Sequence, residues 1–166
     1  MLDTVRRWLQ QIGSGLDREA LRQIFDPIAD RMSSQPTSSA GLLIKAGGGV
    51  LAKIGVTAYQ GVAQGKSVTI AASTDMPALT GTITANSFNV YCFFIDNAST
   101  VTLAVGTEGA TLKDVKFPIF PVGKALVGYL IITHSSTFTG NTTPLDTATT
   151  NFVSPTGPFD PSVILS

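Results

Sequence analysis

From residue 41 onward, no apolar segment of this chain holds the helical period long enough to build a helix of ten residues. Short apolar or alternating runs at 42–44, 50–59, 67–72, 81–85, 89–95, 100–105, 125–133 and 149–153 are broken by Gly47-Gly48-Gly49, Gln64-Gly65-Lys66, Asp96-Asn97 and Gly140-Asn141. Those interruptions carry turn chemistry, because Gly, Asn and Asp tolerate the backbone angles of tight reversals. About eight strands at such spacing predict an antiparallel β-sandwich or jelly-roll-like domain. A parallel α/β sheet is disfavoured, since nothing between the strands could serve as crossover helices. Residues 107–114 are predicted to form a small helix or turn.

The first fifth of the chain is different. All five arginines lie before residue 32 and all six lysines after residue 44, and residues 1–32 hold ten of the 22 charged residues. A shift of this kind marks a boundary. Leu2, Val5, Leu9, Ile12 and Leu16 recur at steps of three and four, the spacing of one helix face. Gly13-Ser14-Gly15 interrupts them, and Ser14 with Asp17 resembles a capping pair for a second helix through Leu21, Ile24 and Phe25. Pro27 is expected to kink or restart that helix. Helices this short are marginal alone in water, so the stripe needs a partner. Residues 33–40 read as a polar linker, which makes 1–32 a short α-helical N-terminal arm and 41–166 the β-domain.

Charge narrows the partners. Charged residues are only 13% of the chain and formal net charge is zero, which suits surfaces that meet protein rather than nucleic acid. The lysines are scattered, without the aromatic interleaving of a single-strand binder. No apolar run reaches the ~18 residues of a membrane helix, and the N-terminus lacks the apolar core of a signal peptide. Synthesis in a cytoplasm is expected.

Motifs for chemistry are weak. Gly61-Val62-Ala63-Gln64-Gly65-Lys66-Ser67 is one residue short of a phosphate-binding loop and leads into the strand pattern Val68-Thr69-Ile70, so a hairpin turn is predicted. His134, the sole histidine, has Ser135, Ser136 and Asp146 near it in sequence but no nucleophile-elbow motif. Cys92, the sole cysteine, sits in the apolar run Tyr91-Cys92-Phe93-Phe94-Ile95 and is predicted to be a buried thiol. Asp75, Asp96, Glu108, Asp114, Asp146 and Asp160 are spread singly, without a calcium-loop spacing. No catalytic, cofactor-binding or metal-ligating residue is therefore assigned. A carbohydrate-binding or hydrolytic β-domain remains an alternative, because paired carboxylates need meet only in space.

A longer pattern carries more. Gly106-Thr107-Glu108-Gly109-Ala110 is followed by Pro118, Pro121, Gly123, Ala125, Gly128 and Ile132, then by Gly140-Asn141-Thr142-Thr143-Pro144-Leu145-Asp146 and Gly157-Pro158-Phe159-Asp160-Pro161. Over residues 88–161 this order resembles β-domains of tailed-bacteriophage virion proteins found in head decoration, head fibres and other appendages. The resemblance implies a non-enzymatic structural protein of the virion, most simply a capsid decoration or cement protein. A head-fibre, neck or tail component, receptor-binding ones included, is the alternative. It also implies a homo-oligomer, a trimer, with the major capsid protein or neighbouring virion proteins as partners and no membrane or nucleic acid. The resemblance does not reach the arm. There the apolar stripe itself nominates Leu2, Val5, Trp8, Leu9 and Ile12 as partner-binding residues, with Arg6 and Arg7 as rim contacts. Val163, Ile164 and Leu165 form an apolar tail that could pair with a neighbouring subunit or end its own domain.

Overall fold

The computed structural model describes residues 18–162 and residue 165. Among these residues one helix, α1 (Arg18–Ser33), precedes eleven strands. These are β1 (Gln35–Pro36), β2 (Leu43–Ile44), β3 (Ala52–Lys53), β4 (Tyr59–Ala63), β5 (Lys66–Ile70), β6 (Thr82–Ile83), β7 (Phe88–Ile95), β8 (Val101–Val105), β9 (Ala125–Thr133), β10 (Phe138–Thr139) and β11 (Thr149–Val153). The fold is mainly β, as expected. An antiparallel four-stranded sheet in the order β11-β9-β7-β8 is layered with a three-stranded sheet β1-β4-β5 and two ribbons, β2-β3 and β10-β6. A regular jelly roll distributes eight strands over two Greek keys. The four- and three-stranded sheets here share its layered, antiparallel character.

Burial explains the sequence patterns. Strands β4 and β5 alternate buried and exposed positions, because one face meets the core and the other meets water. Strand β7 is buried at every position after Phe88, and β9 nearly throughout, because both faces of the central sheet are covered. On one face Tyr91, Phe93, Ile95, Val127, Leu130 and Ile132 pack with Tyr59, Val68 and Ile70 of the smaller sheet. On the other, Val90, Cys92, Phe94, Leu126 and Tyr129 lie beneath Val115, Phe117, Phe120, Phe159 and Leu165. Each large side chain removed from water in this way contributes roughly 1.5–3 kcal/mol. The predicted run 50–59 resolves into β3 and the start of β4, and residues 112–114 form a single 3₁₀ turn.

Two glycines are dictated by geometry. Gln64 and Gly65 both have positive φ, 51° and 72°, and join β4 to β5 as the two-residue turn that matches strand twist. This is the predicted hairpin. At Gly128 the register between β7 and β9 shifts: Phe93 faces Gly128 while Phe94 faces Leu126, leaving Val127 as the extra residue of a bulge. A Cβ on Gly128 would stand 2.6 Å from Leu42 Cδ1 and 2.7 Å from the Val153 carbonyl oxygen.

The expected linker at 33–40 is not free. Gln35–Pro36 pairs with Val62 and Gly61, so this segment is the third strand of the smaller sheet. The Gly65 amide donates to the Ser33 carbonyl at 2.9 Å, Gln64 N to Ser34 Oγ at 3.1 Å and Gln60 N to Ser38 Oγ at 2.7 Å. The Ser38 and Ser34 hydroxyls thus complete the edge of β4 and the turn that follows it, whose backbone amides would otherwise lack partners. The helix, too, runs on through Pro27. The ring leaves the Gln23 carbonyl without its intrahelical donor on a side open to water, where solvent can replace it.

Candidate attachment surface

Helix α1 meets the β-body through its last turn. Asp30 Oδ1 accepts from the Gly123 amide at 2.8 Å, and Arg31 Nη1 donates to the Phe159 carbonyl at 2.9 Å. The Arg31 guanidinium also lies 4.9 Å from the centre of the Phe120 ring, a cation–π contact. Beneath it is a cluster of rings. Phe94 and Phe120 meet edge-on at 4.8 Å, Phe117 and Tyr129 at 5.0 Å, Phe117 and Phe159 at 5.2 Å, while Phe120 and Phe159 stack at 6.0 Å. The segments bearing Pro118 and Pro121, and Pro158 and Pro161, thus roof the second face of the central sheet and hold the root of the helix. Ser162 donates to Asp160 Oδ1 through its hydroxyl at 2.7 Å and its amide at 2.9 Å, holding that carboxyl below the usual range, with Arg31 adding to the effect. A cavity of about 40 Å³ lies at this joint, lined by Asp30, Arg31, Ser34, Phe120, Lys124 and Phe159 among others.

Before that turn, the described side chains of the helix lie at the surface. Glu19, Arg22, Gln23, Asp26, Pro27 and Ala29 are exposed, and so are the large apolar residues Phe25 (58%), Ile28 (51%) and Met32 (68%). Asp30 lies about opposite this stripe and Arg31 about a quarter-turn from it, given 3.6 residues per turn. The body therefore grips one side of the helix and leaves the apolar side facing outward. Ile119 (95%) and Val122 (83%), in the loop between the prolines, are also exposed.

Of the residues nominated from sequence, Leu2, Val5, Arg6, Arg7, Trp8, Leu9 and Ile12 lie outside the described residues, as do Val163 and Ile164. Leu165 is buried against its own chain, packed with Val90, Cys92, Phe94 and Tyr129, which corrects its nomination as a subunit contact. Upstream of it Gly157, at φ +86°, donates its amide to the Pro36 carbonyl, and Phe159 follows on the ring cluster. Ile28 and Met32 had no place in the sequence-derived stripe. Their three- and four-residue steps from Phe25 were the available signal, masked by Pro27 between them.

The residues weighed for chemistry have local partners. Asp75 pairs with Lys45, Asp96 accepts from the Ala98 and Thr100 amides, and Glu108 from the Thr84 amide. Asp114 binds Thr111, Asp146 the Gly48 amide, and Asp160 Ser162. His134 is exposed, with its ring nitrogen Nδ1 2.9 Å from Ser136 Oγ. Cys92 is buried, as predicted, and burial pushes its thiol far up. Among the described residues, Tyr91 Oη is the buried side-chain polar atom left without a partner, and burial, with Glu108 nearby, pushes this phenol up to about 12. Among the described residues no three His, Cys, Asp or Glu side chains converge as a metal site. No helix there is long and apolar enough to cross a membrane. Comparison with protein-family models, with curated proteins and with solved structures returned no match.

Proposed function

We propose that this chain is a non-enzymatic structural protein of a tailed-bacteriophage virion, a decoration or cement protein on the outer head surface. The observation that carries the reading is the outward apolar stripe of α1, held at its root by Asp30 and Arg31. A body that covers both faces of its central sheet and extends an apolar helix is built to be fastened to something else. The resemblance of residues 88–161 to virion β-domains supplies the context. In this reading the N-terminal arm binds the major capsid protein or neighbouring virion proteins through Leu2, Val5, Trp8, Leu9 and Ile12, with Arg6 and Arg7 at the rim. Burial of apolar surface at ~25 cal/mol per Å², less the cost of ordering the arm, drives attachment.

The test is copy number per particle, by quantitative mass spectrometry on separated heads and tails. Copies comparable with the shell protein in the head fraction support decoration. A handful in the neck or tail fraction would instead make the chain an appendage component, and absence from particles would overturn the virion reading. Replacing Leu9 and Ile12 by Asp is expected to abolish attachment with the β-body still folded.

A further inference from the structure

We infer that the outer edge of β8 is a self-association site, where a second copy of this chain adds its own β8 antiparallel about a two-fold axis through Leu103. The inference rests on described strands and loops, and none of it depends on a virion location.

β8 ends the strand order β11-β9-β7-β8, so one of its edges has no neighbouring strand among the described residues. The ladder decides which backbone groups lie there. The Asp96 amide donates to the Thr100 carbonyl at 3.1 Å and the Gly106 amide to the Val90 carbonyl at 2.8 Å. Antiparallel pairs alternate, so the backbone groups of Thr102 and Ala104 also face β7, while those of Val101, Leu103, Val105 and Thr107 point outward. Thr107 shows the direction, because it exchanges both of its bonds with Lys116 on that far side, at 2.9 and 3.3 Å. This pairing stops at once. Two residues back along β8 and two on from Lys116, its register sets Val105 against Pro118, which has no N–H to give. The open stretch is therefore Val101–Val105, the length of β8 itself, and no described residue pairs with its outward groups.

The edge is complementary to a copy of itself. A two-fold through Leu103 sets the two Leu103 residues opposite each other and Val101 opposite the second copy's Val105, and each pair exchanges both of its hydrogen bonds. The paired side chains are apolar and Thr102 meets Ala104 on the other face, so no like charges are opposed. β8 carries none of the devices that keep edges apart, neither Lys nor Pro nor a bulge, whereas the edge strand β5 opens with Lys66 and exposes Ser67 and Thr69. The same axis brings the β7–β8 turn, with Asp96, to the end of the slot that the exposed Lys116 closes, which sets opposite charges at each end of the pairing. The loop beside the slot is tied to β8 at both ends, by Lys116 on Thr107 and by Lys124 Nζ on Thr102 Oγ1 at 3.1 Å. It exposes Ile119 and Val122, which a second copy would cover.

The test uses the full-length protein. Sedimentation velocity and native mass spectrometry are expected to give a dimer at micromolar concentration. Val105→Pro removes an outward N–H that β7 does not use and should give a monomer, whereas Val105→Thr keeps that N–H and should stay dimeric. Val105→Lys, which charges the edge and leaves the ladder alone, reads the same point if the proline disturbs the strand. Leu103→Cys places two thiols on the axis, where Cα atoms about 5.5 Å apart lie within the ~4.4–6.8 Å reach of a disulfide. Cys92, being buried, leaves Leu103→Cys as the reactive position. Mild oxidation should join Leu103→Cys chains into dimers on a non-reducing gel, whereas Ser67→Cys, exposed on the edge of β5, should stay monomeric on the gel. A monomeric wild-type chain would overturn the inference. Equal cross-linking at both positions would do so too, as would an oligomer, a trimer included, that Val105→Pro and Val105→Lys leave intact. Particle copy number is read separately, so either proposal can fail alone.

Discussion

Replacing Gly128 by alanine tests the packing of the central sheet at its tightest point. The new methyl would sit 2.6 Å from Leu42 Cδ1 and 2.7 Å from the Val153 carbonyl oxygen, both inside ordinary contact distance. Leu42 is a buried side chain that can shift slightly, whereas Val153 is the backbone of β11, fixed by its pairing with Tyr129. Overpacking of this kind costs about 1–3 kcal/mol. Against it stands the loss of unfolded-state freedom when glycine becomes alanine, which favours the variant by about 0.4–1 kcal/mol because Gly128 has no positive φ to strain. The net expectation is a destabilisation of roughly 1–2 kcal/mol, read as a melting temperature lower by about 2–8 °C in a domain of this size. Removing the flexible contact should separate the two clashes. In a Leu42→Ala background the same change should cost less, because only the Val153 oxygen still opposes the methyl. Calorimetry on the four proteins of this cycle is the assay. A Gly128→Ala protein that melts higher than the parent would refute the reasoning, since alanine's entropic advantage would then outweigh a backbone contact that ought to dominate.

Arg31→Ala should loosen the root of α1 by removing its bond to Phe159 and its seat on Phe120, a local loss of about 1–2 kcal/mol. Hydrogen exchange should quicken at the Gly123 amide and not in β7, and unchanged exchange at Gly123 would count against the clamp. Gly65→Ala forces a side chain to φ +72° and should cost about 1 kcal/mol in a denaturant melt, with Gly65→Asn better tolerated. Stability should fall in alkali, because Cys92 and Tyr91 hold their protons in the fold above their ordinary values of 9.0 and 10.0. Below pH 9 both folded and unfolded chains keep those protons and nothing changes. Above it the unfolded chain releases them first, at a slope approaching ~1.4 kcal/mol per pH unit for each proton, and for Tyr91 the loss continues until about pH 12. Melting temperatures that stay flat from pH 8 to 11 would contradict the burial of these groups.

The strands were legible in the sequence because their cause is local. Alternation in 67–72, continuous apolar character in 89–95 and 125–133, and turn residues between them follow from how side chains alternate across a strand and from which backbone angles Gly, Asn and Asp tolerate. The buried thiol of Cys92 was legible for the same reason, since an apolar strand leaves a small side chain nowhere else to go. Three features depended on contacts between residues far apart in the chain. Segment 33–40 has the composition of a linker, yet its hydroxyls and backbone close the edge of β4, which only the assembled sheet could offer. The proline-rich segments around Phe117 and Phe159 fall outside the predicted strands, and only folding brought their rings together over Phe94 and Tyr129 beneath Arg31. The orientation of α1 was likewise a tertiary outcome. Periodicity defines an apolar face on a helix, but which side the body grips was decided by Gly123 and the Phe159 carbonyl, 93 and 128 residues from their partners on the helix, and that grip is what leaves Phe25, Ile28 and Met32 facing outward.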